Sequence, residues 1–237
     1  MPERTLKITG SRRLLAGLAL LCLALPGARA AEVRGRVEID HTGLFGVDAS
    51  VRQFPVSVAL IPAAGQRVRR GRPKTRRIEI RDNRLWPAFM TVRKGDRVVF
   101  VNRDPVFHEI FSLSTGKALE ARLDKAGASS QSSHRFRLKQ PGVTHFFCRI
   151  HNKSYARIDV VDTPYIKMVE PGKPFEFTGI APGTWTLRLA SPAAETRRVK
   201  VNAVTSPPRM TLRLVSRGGG NGPSDGMQQS RVEGLFQ

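Results

Sequence analysis

Phe146-Phe147-Cys148-Arg149-Ile150-His151 closes a short alternating run that opens at Pro141-Gly142, and the reading of the whole chain turns on it. A thiol ends the run and an imidazole follows three residues later. Alternation from Cys148 keeps Phe146 on its own face and puts Phe147 and His145 on the opposite one. A second imidazole, His108, stands upstream, shortly after Asp104-Pro105. If the chain turns sharply after Cys148 and a neighbouring strand carries His108, one thiolate and two imidazoles converge on a single ion. Copper selects such a trigonal set with at most a weak axial group, because soft sulfur suits Cu(I) and imidazole nitrogen suits Cu(II). Zinc sites of the thiolate-rich kind would need further cysteines beside Cys148, and the sequence has none there.

The other cysteine is Cys22, and the residues around it decide its fate. Arg12 and Arg13 precede an unbroken apolar run over residues 14–25, after which Pro26 leads to the small-x-small pattern Ala28-Arg29-Ala30. This reads as a secretory signal peptide cleaved after Ala30. The run is shorter than the roughly 20 residues that span a bilayer, and no later segment comes closer, so no transmembrane segment is expected. Leu21 is too large for a lipoprotein cleavage site ahead of Cys22, so no lipid anchor is expected either. Cleavage removes Cys22 and leaves Cys148 without an intramolecular partner in an oxidising compartment, periplasmic or secreted.

Composition bounds the rest. The 237 residues carry 40 Lys+Arg against 19 Asp+Glu, a net charge of +21, with 40% hydrophobic and 7% aromatic residues. One large or two small domains fit this length, and a disulfide-rich scaffold or a wholly disordered chain does not. Residues 1–30 hold five basic side chains and one acidic, which leaves 35 against 18 and a net of +17 on the mature chain. Seven of the eleven residues 67–77 are basic, with Gly71 and Pro73 among them, and this stretch reads as a solvated connector. Residues 217–237 are glycine-rich and polar and read as a disordered tail.

Short alternating or β-branched runs recur from residues 33–39 to 210–215, separated by Gly, Pro, Asn and Asp. That is the signature of antiparallel β-sandwiches rather than βαβ units, so the expected fold class is all-β. The one segment with a helical spacing is 117–126, where Leu119 and Leu123 stand four apart.

Four motifs fall in order between residues 83 and 161: Val92-x-x-Gly95-Asp96-x-Val98, Phe100-Val101-Asn102-x-Asp104 leading to His108, Pro141-Gly142, and Phe146-Phe147-Cys148-x-x-His151. Together they resemble a cupredoxin, the plastocyanin and amicyanin type of blue-copper domain. The resemblance implies a Greek-key β-sandwich over residues 78–162 with one mononuclear copper held by His108, Cys148 and His151. It also implies a partner or electron-entry surface at Phe147, the residue before the thiolate. Two positions depart from the family. The axial Met of its short-loop members falls on Ser154, followed by Tyr155, so Ser154, Tyr155, water or a backbone carbonyl is expected near the axis; Met90 and Met168 are too distant in sequence to be assigned. Glu109 follows His108 where family members often carry Asn, and an ionised Glu cannot donate to the ligand loop. His134 and His145 are expected on the surface.

A second resemblance covers the flanks. Phe175-Glu176-Phe177-x-Gly179-Ile180-x-Pro182-Gly183-x-Trp185-x-Leu187-x-Leu189 is similar to the carboxypeptidase regulatory-like or transthyretin-like β-sandwich. Its opening strands would lie before residue 67. The expected organisation is a smaller sandwich built from residues 32–66 and 163–216, with the cupredoxin-like module inserted through the connector 67–77.

The leading functional expectation is an exported copper-binding protein that transfers single electrons and is not an enzyme. No Ser-His-Asp set, carboxylate pair, phosphate loop or zinc-protease helix stands out, and the His-x-His sets of multicopper oxidases are absent. Copper delivery or storage, or a metal-free envelope interaction module, are the alternatives. The positive charge suits an acidic redox protein or an anionic envelope surface. Nucleic acid fits poorly, because the aromatics follow strand alternation instead of forming a stacking platform.

Overall fold

The structure, a computed structural model, describes residues 30–40, 54–69, 71–113 and 118–216. The segment read as a signal peptide and the tail from residue 217 therefore lie outside the described residues, Ala30 apart. What is described is almost wholly β, with no α-helix.

The chain opens with β1 (Ala31–Asp40), whose Val33, Val37 and Ile39 point inward, and β2 (Val56–Pro62). It continues through β3 (Thr75–Arg81), β4 (Arg84–Trp86), β5 (Phe89–Arg93) and β6 (Arg97–Asn102). Then come β7 (His108–Leu113), β8 (Glu120–Leu123), a short 3-10 turn, β9 (Ser133–Arg137), β10 (Gly142–Cys148) and β11 (Tyr155–Val161). It ends with β12 (Ile166–Val169), β13 (Pro174–Ile180), β14 (Thr184–Ser191), β15 (Ala194–Asn202) and β16 (Met210–Val215).

These strands make four sheets, in the orders β13-β1-β16, β12-β2-β14-β15, β5-β11-β10-β7-β8 and β4-β3-β6-β9. One hydrophobic core collects Val33, Val58, Leu60, Phe175, Trp185 and Leu187 from the first two sheets. The other collects Ile78, Val98, Phe100, Phe136, Phe146 and Ile158 from the last two. The chain thus leaves the first core after β2 and rejoins it at β12. The sheets are mixed and not purely antiparallel, since β1 runs parallel to β16, β3 to β6 and β5 to β11. Such pairs join strands far apart in sequence, and local alternation carries no signal for their direction. At the β1 crossing the backbones come so close that a Cβ on Gly35 would meet the Met210 carbonyl oxygen at 2.6 Å, so only glycine fits there.

Two expectations need correction. The 117–126 segment contains strand β8 and not helix. Leu123 is buried and Leu119 and Ala121 pack against the same core, which is a period of two; a spacing of four fits a strand as well as a helix. The basic stretch 67–77 is not all connector either, because Thr75, Arg76 and Arg77 already pair with Arg97, Val98 and Val99.

Where the two cores adjoin, a buried charge cluster replaces apolar packing. Asp159 on β11 accepts from Arg157 at 2.8 and 3.1 Å and from Arg188 of β14 at 2.6 Å. Nearby, the Thr163 hydroxyl donates to the Leu60 carbonyl and the Leu60 amide donates to the Tyr165 carbonyl, tying the return of the chain to β2.

Candidate metal centre

Strand pairing brings the chemistry together. β7 and β10 are antiparallel neighbours with Cys148 opposite Ile110, so His108, two residues before Ile110, sits at the same end and on the same inward face as Cys148. After Cys148 the chain returns within six residues. The Arg149 amide donates to the Glu109 carbonyl, the Ser154 amide to the His151 carbonyl, and the Cys148 amide to the Ser154 carbonyl. The Ser154 hydroxyl donates to the Asn83 carbonyl and clasps the loop to the β3-β4 hairpin. This closure places His151 over His108, ring centroids 4.5 Å apart.

The three ligand-type atoms lie within 4.8 Å of one another. Cys148 Sγ is 3.7 Å from His108 Nδ1 and 3.5 Å from His151 Nδ1, and the two Nδ1 atoms are 3.0 Å apart. A point equidistant from all three lies about 2.0 Å from each, the length of a metal–imidazole bond, and a point slightly out of their plane and away from sulfur lengthens the sulfur distance toward the ~2.3 Å of a metal–thiolate bond. The donor set therefore fits a single ion in trigonal coordination, and its mix of one thiolate with two imidazoles is the copper type.

Asp104 settles how His108 presents itself. Its Oδ2 lies 2.9 Å from His108 Nε2. In the neutral ring, a proton on Nε2 donated to this carboxylate leaves Nδ1 as a lone pair aimed at Cys148 and His151. The carboxylate is itself fixed, because it accepts from the amides of Asp82 and Asn83 at 2.8 and 3.0 Å. Both of those residues hold positive φ, 51° and 57°, the conformation of a two-residue hairpin turn that Asp and Asn tolerate. His108 is fully buried, and burial pushes its imidazole below the ordinary value of 6.5. The Asp104 hydrogen bond pulls it back up, while neighbouring His151 adds to the lowering. Burial thus favours the neutral, ligating form.

No protein-family model matches this chain, and no curated protein matches it in sequence. Parts of it are similar to solved structures. A reduced Cu(I) form of an amicyanin mutant at pH 4 is 18% identical over 39% of this chain and 85% of its own, with a TM-score of 0.32. A pseudoazurin from Sinorhizobium meliloti is 18% identical over 38% of this chain and 76% of its own, also at 0.32. Amicyanin from Paracoccus versutus is 15% identical over 43% and 90%, again at 0.32. Each likeness spans less than half of this chain.

The remaining candidates separate by face. Tyr155 is not beside the cluster: it pairs in register with Phe147, one residue from Cys148, and so shares the opposite face of the sheet. There its hydroxyl bonds His145 Nδ1 at 2.9 Å. As an axial group it is excluded by strand alternation. Ser154 is buried within the loop, with its hydroxyl committed to the Asn83 carbonyl. Phe147 is half-buried on the outer face, stacked on Phe111 at 5.6 Å and tilted against Tyr155 at 5.3 Å, with Arg149 over the Phe111 ring. Glu109 turns its carboxylate to Arg122, and its backbone carbonyl does the loop-holding that an Asn side chain would supply. His134 lies tilted against Phe136 at the sheet edge, Met90 packs in the core and Met168 lies on β12.

Sequence reasoning missed Asp104 as a functional residue. The signal was present, a carboxylate four residues before a candidate ligand, but Asp before Pro also reads as a turn former.

Proposed function

We propose that residues 78–162 form a cupredoxin-like copper module that passes single electrons, carried in an exported protein beside a regulatory-like sandwich built from residues 32–66 and 163–216. The convergence of His108 Nδ1, Cys148 Sγ and His151 Nδ1 supports this reading most directly. Copper bound there would supply the electron by alternating between Cu(II) and Cu(I). Cys148, 6% exposed, offers its thiolate away from water, which protects the sulfur from oxidation. Asp104 fixes the ring of His108, and the short return of the chain holds His151 across from it. Half-buried His151 is the ligand edge open toward a partner. A rigid donor set of this kind lets the oxidation state change without reorganising the protein, which suits a carrier and not an enzyme.

Export rests on residues 1–30, and no helix among the described residues is long and apolar enough to cross a membrane. An acidic redox protein is the proposed partner.

The visible spectrum of the mature protein loaded with Cu(II) tests the reading. Intense thiolate-to-copper absorption that bleaches with a mild reductant, returns on reoxidation and is lost in a folded Cys148→Ala variant is the expected result. Tight Cu(I) uptake that passes to an apo-acceptor, without the reversible band, would turn the reading to copper delivery or storage. No copper uptake, with Cys148→Ala indistinguishable from wild type, would leave a metal-free interaction module.

A further inference from the structure

Sheet β4-β3-β6-β9 turns Ile78, Ile80, Val98, Phe100 and Phe136 into its core, so the alternate residues form an outward face. That face is built from cross-strand rows. Thr75, Arg97 and Arg137 share one row, and Arg77, Val99 and Arg135 the next. Glu79 and Val101 follow, with Trp86 opposite Glu79, and Arg81 opposes Arg84 at the end.

Like charges directly opposite one another destabilise a sheet. Here Arg97 faces Arg137 and Arg81 faces Arg84 with no acid between. The acid that these strands do carry, Glu79, is already taken: Arg103 holds one oxygen through Nε and Nη2 at 3.2 and 3.1 Å, Arg81 holds the other, and Arg77 stands 3.7 Å away. The face therefore keeps a positive excess at the expense of folding stability. It also abuts the metal centre, because Arg81 and Arg84 flank the turn whose amides hold Asp104, and Arg103 is the residue before Asp104.

We propose that this arginine face docks a protein partner through a cluster of surface carboxylates, seating that partner beside the metal centre. Charge complementarity selects an anion, and two features select a protein. The cations of these strands are all arginine, whose planar fork matches a carboxylate in two bonds, the grip that Arg157 makes on both oxygens of Asp159 elsewhere in the fold. Half-buried Val99 and Val101 and Trp86, 54% exposed, add the apolar contact that a folded surface fills and a layer of phosphates does not. That the partner exchanges electrons rests on the function proposed above; the docking does not, and its test uses metal-free protein so that each can fail alone.

Isotope-labelled metal-free protein is titrated with polyglutamate, and separately with vesicles of phosphatidylglycerol in phosphatidylcholine, following backbone amide shifts. Polyglutamate moves residues of β3, β6 and β9, and salt removes the effect. The triple variant Arg81→Gln, Arg97→Gln, Arg135→Gln weakens binding by about tenfold, the sum of three exposed ion pairs. Its thermal midpoint does not fall, because like-charge opposition is relieved, and this separates lost docking from lost fold. A triple variant of Arg197, Arg198 and Lys200 to Gln on β15 removes the same charge and leaves affinity unchanged. Equal losses in the two triples would reduce the effect to net charge and overturn the proposal. So would shifts mapping elsewhere, or vesicles engaging these arginines in preference to polyglutamate.

Discussion

Asp104 and Asp159 are both buried carboxylates, and the contrast between their surroundings separates the end of the molecule that gathers the donor cluster from the part that holds the fold together. Asp159 at the junction of the two cores is gripped by two guanidinium groups, Arg157 from its own strand and Arg188 from β14. Its charge is consumed by the fold. Asp104 at the metal end takes its hydrogen bonds from neutral donors, two backbone amides and the His108 ring. Its charge is left over, next to two imidazoles and a thiol whose donor atoms a cation would draw together. A buried anion with an internal counter-ion is a clamp; one with only neutral donors leaves room for an external positive charge.

The largest effect is expected at the clamp. Asp159→Asn strands buried Arg157 and partly buried Arg188, and removing one partner of such a cluster costs about 3–5 kcal/mol. Urea unfolding should show that loss, while copper stoichiometry of the protein that remains folded stays at one. A variant as stable as wild type would mean that Arg157 and Arg188 find water, and the clamp would be no clamp.

Asp104→Asn should reverse the pattern. Replacing the carboxylate behind a metal-ligating histidine costs about 10–100-fold in metal affinity. Stability of the metal-free protein should fall far less than in Asp159→Asn, because the Asn carbonyl can still accept one bond. Competition titration with a chromophoric chelator measures the first and urea unfolding the second. Unchanged affinity combined with a large stability loss would erase the distinction between the two carboxylates.

The same contrast shows what could be read from the sequence. Cys148 and His151 are legible because a strand end and a three-residue spacing are local facts, and His108 only through the downstream Cys-x-x-His and the motif order that resembles a cupredoxin, since the pairing of β7 with β10 is set by register. Asp104 is not legible as a ligand's partner, since its role is defined by a hydrogen bond across a turn and its local setting is that of any post-strand Asp. The place of Tyr155 is hidden for a related reason: counting through the loop cannot reveal that the register returns it opposite Phe147, on the far face. The Arg188 contact to Asp159 joins residues on strands of different sheets, and no spacing in the chain announces it.

A smaller effect probes the loop. Ser154→Ala deletes the clasp to the Asn83 carbonyl, a single hydrogen bond worth about 0.5–1.5 kcal/mol. If the clasp holds His151 in place, the visible band of the copper-loaded protein broadens or shifts while Asp159 and its arginines feel nothing. An unchanged band would assign Ser154 to packing alone.

The smallest effect is a pH dependence that belongs to the metal end. His108 in the folded, metal-free protein titrates below its ordinary 6.5, chiefly because burial penalises the imidazolium. As pH falls through that ordinary value the unfolded chain takes up the proton first, so unfolding gains and stability declines. The decline ends once pH passes the lower, folded value, where both states are protonated. Above 6.5 the contribution is fully present and flat. Denaturant midpoints measured from pH 8 downward should therefore slope in wild type, and His108→Gln, which has nothing to protonate at that position, should lose that part of the slope whatever its absolute stability. Asp159→Asn should keep it. Equal slopes in wild type and His108→Gln would show that the imidazole is solvated and not held neutral, and the metal end would then lack the pre-set donor that distinguishes it from the junction.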